Sequence, residues 1–105
     1  MANEFAADIR YVQMESMKRP SSGYRISIDK SVGCYYVFKN AFIEKTVLFK
    51  ERYKIDYTNP NMDSVGFTYE GIPVNAGTFS ILDTKTNKIK EVSIVPTTGR
   101  TIIKE

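Results

Sequence analysis

The chain has no histidine, no tryptophan and a single cysteine in 105 residues. One thiol forms no intramolecular disulfide, and one cysteine without histidine builds no Cys/His zinc site. The missing imidazole also removes the usual general base and the group that activates most serine or cysteine nucleophiles. Catalysis would fall to carboxylates, lysine and tyrosine alone, so the composition points to a non-enzymatic protein with no cofactor. Long apolar runs are missing too. The stretch from Gly33 to Phe38 stops at Lys39 and Asn40, far short of the roughly 20 residues a spanning helix requires. The start, Met1-Ala2-Asn3-Glu4-Phe5, carries an acid where a signal peptide carries basic charge. A cytoplasmic protein without membrane contact is the expectation.

What is present is a chain that is 42% hydrophobic and 26% charged, long enough for one core that buries roughly 65% of the extended surface. Residues 1–105 therefore read as a single domain. Strand signals dominate. Tyr24 to Asp29 alternates strictly, with Tyr24, Ile26 and Ile28 on one face. It follows the turn formers Pro20, Ser21, Ser22 and Gly23. After the Lys30–Gly33 turn, Cys34 to Phe38 is aromatic and β-branched, as a strand should be. Asn40 is placed to cap a helix, and Phe42, Thr46 and Phe49 with Ile43 and Val47 recur at three- and four-residue spacings. The pattern predicts a short helix near 40–49. Alternating strands follow at 53–57 and 65–69, joined by a loop at 58–64 and expected to pair as a hairpin. A second hairpin, 78–83 with 89–95, leads to a terminal strand at 101–104.

These elements describe a mainly β, α+β fold: a small antiparallel sheet or barrel of hairpins with one short helix. Residues 24–70 form a hairpin-helix-hairpin unit, and 78–104 a C-terminal hairpin with a terminal strand. The core is expected to include Ile26, Ile28, Phe42, Ile43, Leu48, Ile55 and Phe67, with Phe38, Tyr53, Tyr57 and Tyr69 also facing inward. Residues 3–19 read either as a helix from Asn3, with Phe5, Ile9 and Val12 as its apolar stripe, or as an edge strand feeding the 21–23 turn. A helical start with an extended second half is the reading adopted.

Few residues carry chemistry. Asp56 and Asp63 flank or occupy the 58–64 loop, but its spacing is not that of an EF-hand, and the reading is a turn with no metal. The glycines occur singly, without a phosphate-cradling loop. Cys34 reads as a small packed hydrophobe. Tyr35 and Tyr36 are adjacent in one strand and must point to opposite faces, so one of them is a candidate stacking or interface residue.

Charge is uneven. The chain carries 15 basic and 12 acidic residues. The window from Lys18 to Lys54 holds nine basic against three acidic side chains, net +6, while residues 61–105 balance at zero. Such a window suits a polyanion, with Arg25, Lys30 and Lys39 as phosphate contacts and Lys18 and Arg19 flanking them.

The segment Val37-Phe-Lys-Asn-Ala-Phe-Ile-Glu-Lys45, followed by Leu48-Phe-Lys-Glu-Arg-Tyr-Lys-Ile-Asp-Tyr57, resembles the swapped-hairpin DNA-binding domain of AbrB and MazE-type regulators across residues 26–57. Phe38 stands where that family has proline, and Arg52-Tyr53 where it has Gly-Asp. The resemblance implies an intertwined homodimer that binds DNA through its first hairpins. The leading expectation is thus a small DNA-binding protein of the transcription-regulator or phage-accessory kind. The alternative is a protein-interaction module or inhibitor acting on a partner protein.

Overall fold

The computed structural model describes residues 1–21 and 23–104. Helix α1 (Ala2–Lys18) opens the chain. Its buried stripe of Phe5, Ile9, Val12 and Ser16 recurs every three to four residues, the spacing of one helical face. Glu4 in the first turn and Lys18 in the last suit the helix dipole. Pro20, which cannot continue a helix, follows the capping residue Arg19. The second half of this segment is therefore helical to Lys18 rather than extended. Ser22, within the expected 21–23 turn, lies outside the described residues.

Among the described residues eight strands follow: β1 (Tyr24–Asp29), β2 (Cys34–Lys39), β3 (Phe42–Leu48), β4 (Tyr53–Tyr57), β5 (Ser64–Gly66), β6 (Gly77–Asp83), β7 (Lys88–Ile94) and β8 (Thr101–Lys104), with a 3-10 turn at Pro60–Asp63. They form two antiparallel sheets, β3-β2-β1-β5 and β4-β6-β7-β8. The mainly β, α+β class holds, but its helix lies at the N-terminus.

Residues 42–48 are a strand, not a helix. Asn40 has φ of 54° and serves the tight β2–β3 turn rather than a helix cap. Asparagine suits both roles, and β-branched Ile43, Thr46 and Val47 favour the strand once β2 offers a partner. The 53–57 and 65–69 segments do not pair either. β4 joins β6 in the second sheet, and β5 joins β1 in the first. The hairpin-helix-hairpin unit at 24–70 is thus replaced by strands divided between two sheets.

α1 packs on the inner faces of both sheets. Phe5 lies between them, edge-on to Tyr35 of β2 at 5.1 Å and to Phe79 of β6 at 4.9 Å. Ile26, Ile28, Ile55 and Phe67 are buried as expected. Phe42, Ile43 and Leu48 are not: their exposures are 76%, 53% and 76%. Tyr69 is exposed, and Phe38 points outward and is half-buried. The inward side chains of β3 are Lys45 and Val47, opposite Val37 and Tyr35.

Three acids hold the periphery, Asp56 exposed and Asp29 and Asp83 half-buried. Arg52 donates to Asp83 at 2.9 Å and holds that carboxyl down at about 2. Ser31 and Val32 lower Asp29, and Lys30, at 2.8 Å, lowers Asp56. Each carboxyl titrates lower in the folded chain than in the unfolded one, so its stabilisation is complete above about pH 5 and is lost as pH falls towards 2. Thermal melts between those limits should show a falling Tm, with a shallower slope for Asp83→Asn. An identical acid limb in that variant would remove the Arg52 pair from this account.

Candidate protein-docking face

Beneath the first sheet a polar cluster fixes which way β2 faces. The Tyr35 hydroxyl donates to Asp8 Oδ2 at 2.6 Å, and Lys45 Nζ reaches both Asp8 oxygens at 3.0 Å and Glu4 at 3.1 Å. Burial, then the Asp8 carboxylate, pushes the Tyr35 phenol far up, which keeps it a neutral donor. Burial pulls Lys45 down, but its bonds to Asp8 and Glu4 outweigh that and its pKa is raised overall. With Tyr35 fully buried against the helix, Tyr36 points to solvent. Of the two adjacent tyrosines, Tyr36 is the candidate for an interface.

The outward side chains of this sheet form a regular array. The register sets Arg25 beside Phe38 and Phe38 beside Ile43, then Ser27 beside Tyr36 and Tyr36 beside Thr46, then Asp29 beside Cys34 and Cys34 beside Leu48. Between Val37 and Phe38 the register slips and leaves Glu44 as an extra residue on β3. That bulge brings Ile43 to the face carrying Thr46 and Leu48. The Phe38 ring lies 5.9 Å from Tyr36, and the Arg25 guanidinium sits 4.4 Å over it. The Cys34 thiol holds the Tyr36 phenol above its usual pKa, with burial and Asp29 adding to the shift. Cys34 itself is buried.

The result is an apolar strip, Tyr36, Phe38, Ile43 and Leu48, bordered on one side by the polar row of β1. The outward face of the second sheet differs. There Lys54, Asp56, Ser80, Glu91, Ser93 and Lys104 interrupt Leu82, Ile89 and Ile102. A cleft of about 620 Å³ lies between the first residues of α1 and the β6–β7 hairpin. Its one carboxylate, Asp83, is already held by Arg52.

The structure does not bring the expected phosphate contacts together. Arg25 is on the outward face, where it donates to the Gly23 and Asn40 carbonyls. Lys39 is on the opposite face, 6.0 Å from the Tyr24 ring. Lys30 sits at the far end of β1, paired with Asp56 and 4.0 Å from the Tyr57 ring. Lys18 and Arg19 end the helix, with Arg19 paired to Glu15. Lys45 and Arg52, counted in the +6 window, are neutralised by acids from distant segments. The candidate interface residues that the sequence reading misses are Ile43 and Leu48. Their signal was present, since both are apolar at strand positions, but the helix reading buried them.

No protein-family model matches the sequence, and no curated protein matches it. Among solved structures, the chain is similar in fold to the minor pseudopilin EpsH from the type 2 secretion system of Vibrio cholerae, with a TM-score of 0.69 and 15% sequence identity over 97% of this chain and 91% of that one. A match of that extent replaces the AbrB/MazE resemblance, whose strand-helix-strand unit this chain does not form, and it overturns the DNA-binding reading and the swapped-hairpin dimer that followed from it. The chain has the fold of a minor pseudopilin.

Proposed function

We propose that the chain is a non-catalytic assembly subunit that docks a protein partner through the outward face of the first sheet. The observation that carries this reading is the outward cluster of half-buried Tyr36 and Phe38 with exposed Ile43 and Leu48, set around Thr46 on a sheet whose other face is already filled by the helix. Clustered apolar side chains in solvent mark interaction surfaces, whereas isolated ones do not. The fold shared with a component of a secretion system supports an assembly role over a regulatory one.

A photocrosslinking residue placed at Thr46, in the middle of the strip, tests this in the native cells. Adducts heavier than the 12.0 kDa chain are expected from that position and not from Glu91 on the outward face of the second sheet. Equal labelling from both positions, or none from Thr46, would reject the docking face.

A further inference from the structure

The outward face of the first sheet is its own complement, and from this we infer that one occupant of the face is a second copy of the chain. The inference rests on the docking reading above and adds the identity of the partner. Three rows cross the strands: Arg25-Phe38-Ile43, Ser27-Tyr36-Thr46 and Asp29-Cys34-Leu48. Consider a twofold axis running along the middle row, between two such faces packed against each other. It lays the first row of one copy on the third row of the other. Arg25 then meets Asp29 of the second copy and Ile43 meets Leu48, while the Phe38 ring lies over the strand position of buried Cys34. Each contact occurs twice, as an isologous interface requires. The middle row is crossed by the axis, so Tyr36 and Thr46 meet their own copies.

Charge is what selects this occupant. Arg25 and Asp29 sit four residues apart on one strand, roughly 13 Å, with uncharged Ser27 between them. A strand that is positive at one end and negative at the other pairs favourably with its own reversed copy and unfavourably with a parallel one. Among the described residues neither charge has an ion-pair partner: Arg25 donates to backbone carbonyls, and Asp29 accepts from Ser31 and Val32 of its own turn. Face-to-face packing of two twisted sheets is a standard arrangement. The face is small, three strands about 5 Å apart by five residues at about 3.4 Å each. That falls short of the roughly 800 Å² per partner of a tight interface, so the dimer should be reversible, with a Kd between about 10 µM and about 1 mM.

Sedimentation velocity from about 1 µM to about 1 mM reads this directly. Wild-type protein is expected to pass from monomer to dimer across that range. Arg25→Asp alone and Asp29→Arg alone should each remain monomeric, because each sets like charges against each other twice. Mixed in equal amounts, the two variants should dimerise again, since the doubly acidic copy then faces the doubly basic one. Asp29 also anchors its own turn, so Ile43→Ser combined with Leu48→Ser gives a second test on side chains the fold leaves exposed; this protein should be monomeric with an unchanged Tm. A wild-type monomer at every concentration overturns the inference, as does a dimer that survives Arg25→Asp or the double serine variant. If the wild type is monomeric while Thr46 still crosslinks to a different protein, only the second copy is rejected. If Thr46 gives no adduct as well, the docking face falls with it.

Discussion

Replacing Phe79 by alanine is expected to cost about 3–5 kcal/mol, enough to leave the chain largely unfolded at 37 °C. Phe79 is fully buried and stands where the helix meets the second sheet. Its ring is edge-on to Phe5 of α1 at 4.9 Å and to Tyr57 of β4 at 5.9 Å. Truncation removes the transfer free energy of the ring and leaves a cavity whose walls come from a helix and two strands, which cannot all collapse inward together. Each edge-on pair adds roughly 0.5–1.5 kcal/mol beyond buried area. Urea unfolding of the variant would measure the loss. A cost below about 1 kcal/mol would mean that the helix is not seated against the second sheet as described.

Gly33→Ala is the second large effect, and it acts through the backbone. Gly33 has φ of 80°, in the left-handed region. A Cβ there would lie 2.2 Å from Lys50 Cβ and 3.1 Å from its Cα. The close approach has a purpose: the Gly33 carbonyl accepts from Phe49 N at 2.8 Å and from Lys50 N at 3.1 Å. Those bonds hold the point at which the chain leaves β3 and turns into β4, so they tie the first sheet to the second. The left-handed conformation alone costs a non-glycine residue on the order of 1 kcal/mol, and the displaced turn adds to it. A total of about 2–4 kcal/mol is expected. Hydrogen exchange should localise the loss to amides around 49–53, with α1 protected in proportion to the global change. A variant as stable as wild type would show that the 49–52 turn moves aside freely.

Both effects concern contacts between segments far apart in the chain, which local sequence patterns do not specify. The sequence's own determinations were local. Strict alternation placed β1 and β4 and turned Ile26, Ile28 and Ile55 inward, because a strand's side-chain period depends on backbone geometry alone. Turn formers marked the ends of β6 and β7, and Asn87, with φ of 57°, sits within the polar turn between them. The apolar stripe of α1 was also legible, since Phe5, Ile9 and Val12 need no partner to define a face. The mainly β, α+β class follows from these elements.

Tertiary structure decided the rest. Phe42-Ile-Glu-Lys-Thr-Val-Leu48 satisfies the spacing of a helix and the composition of a strand at once, and only β2 alongside it settled the matter. Pairing was decided in the same way: β5 is nearer to β4 in sequence, yet its partner is β1, because Val65 buries against Ile26 and the loop entropy of the longer closure grows only slowly with length. The charge window dispersed for a related reason. Successive residues on a strand face opposite ways, so a run of cations along the chain need not form a field on the surface, and acids from remote segments neutralised Lys45 and Arg52. The docking face likewise exists only in the folded sheet, where hydrogen-bond register sets Phe38 beside Ile43 and a single bulge turns Ile43 outward.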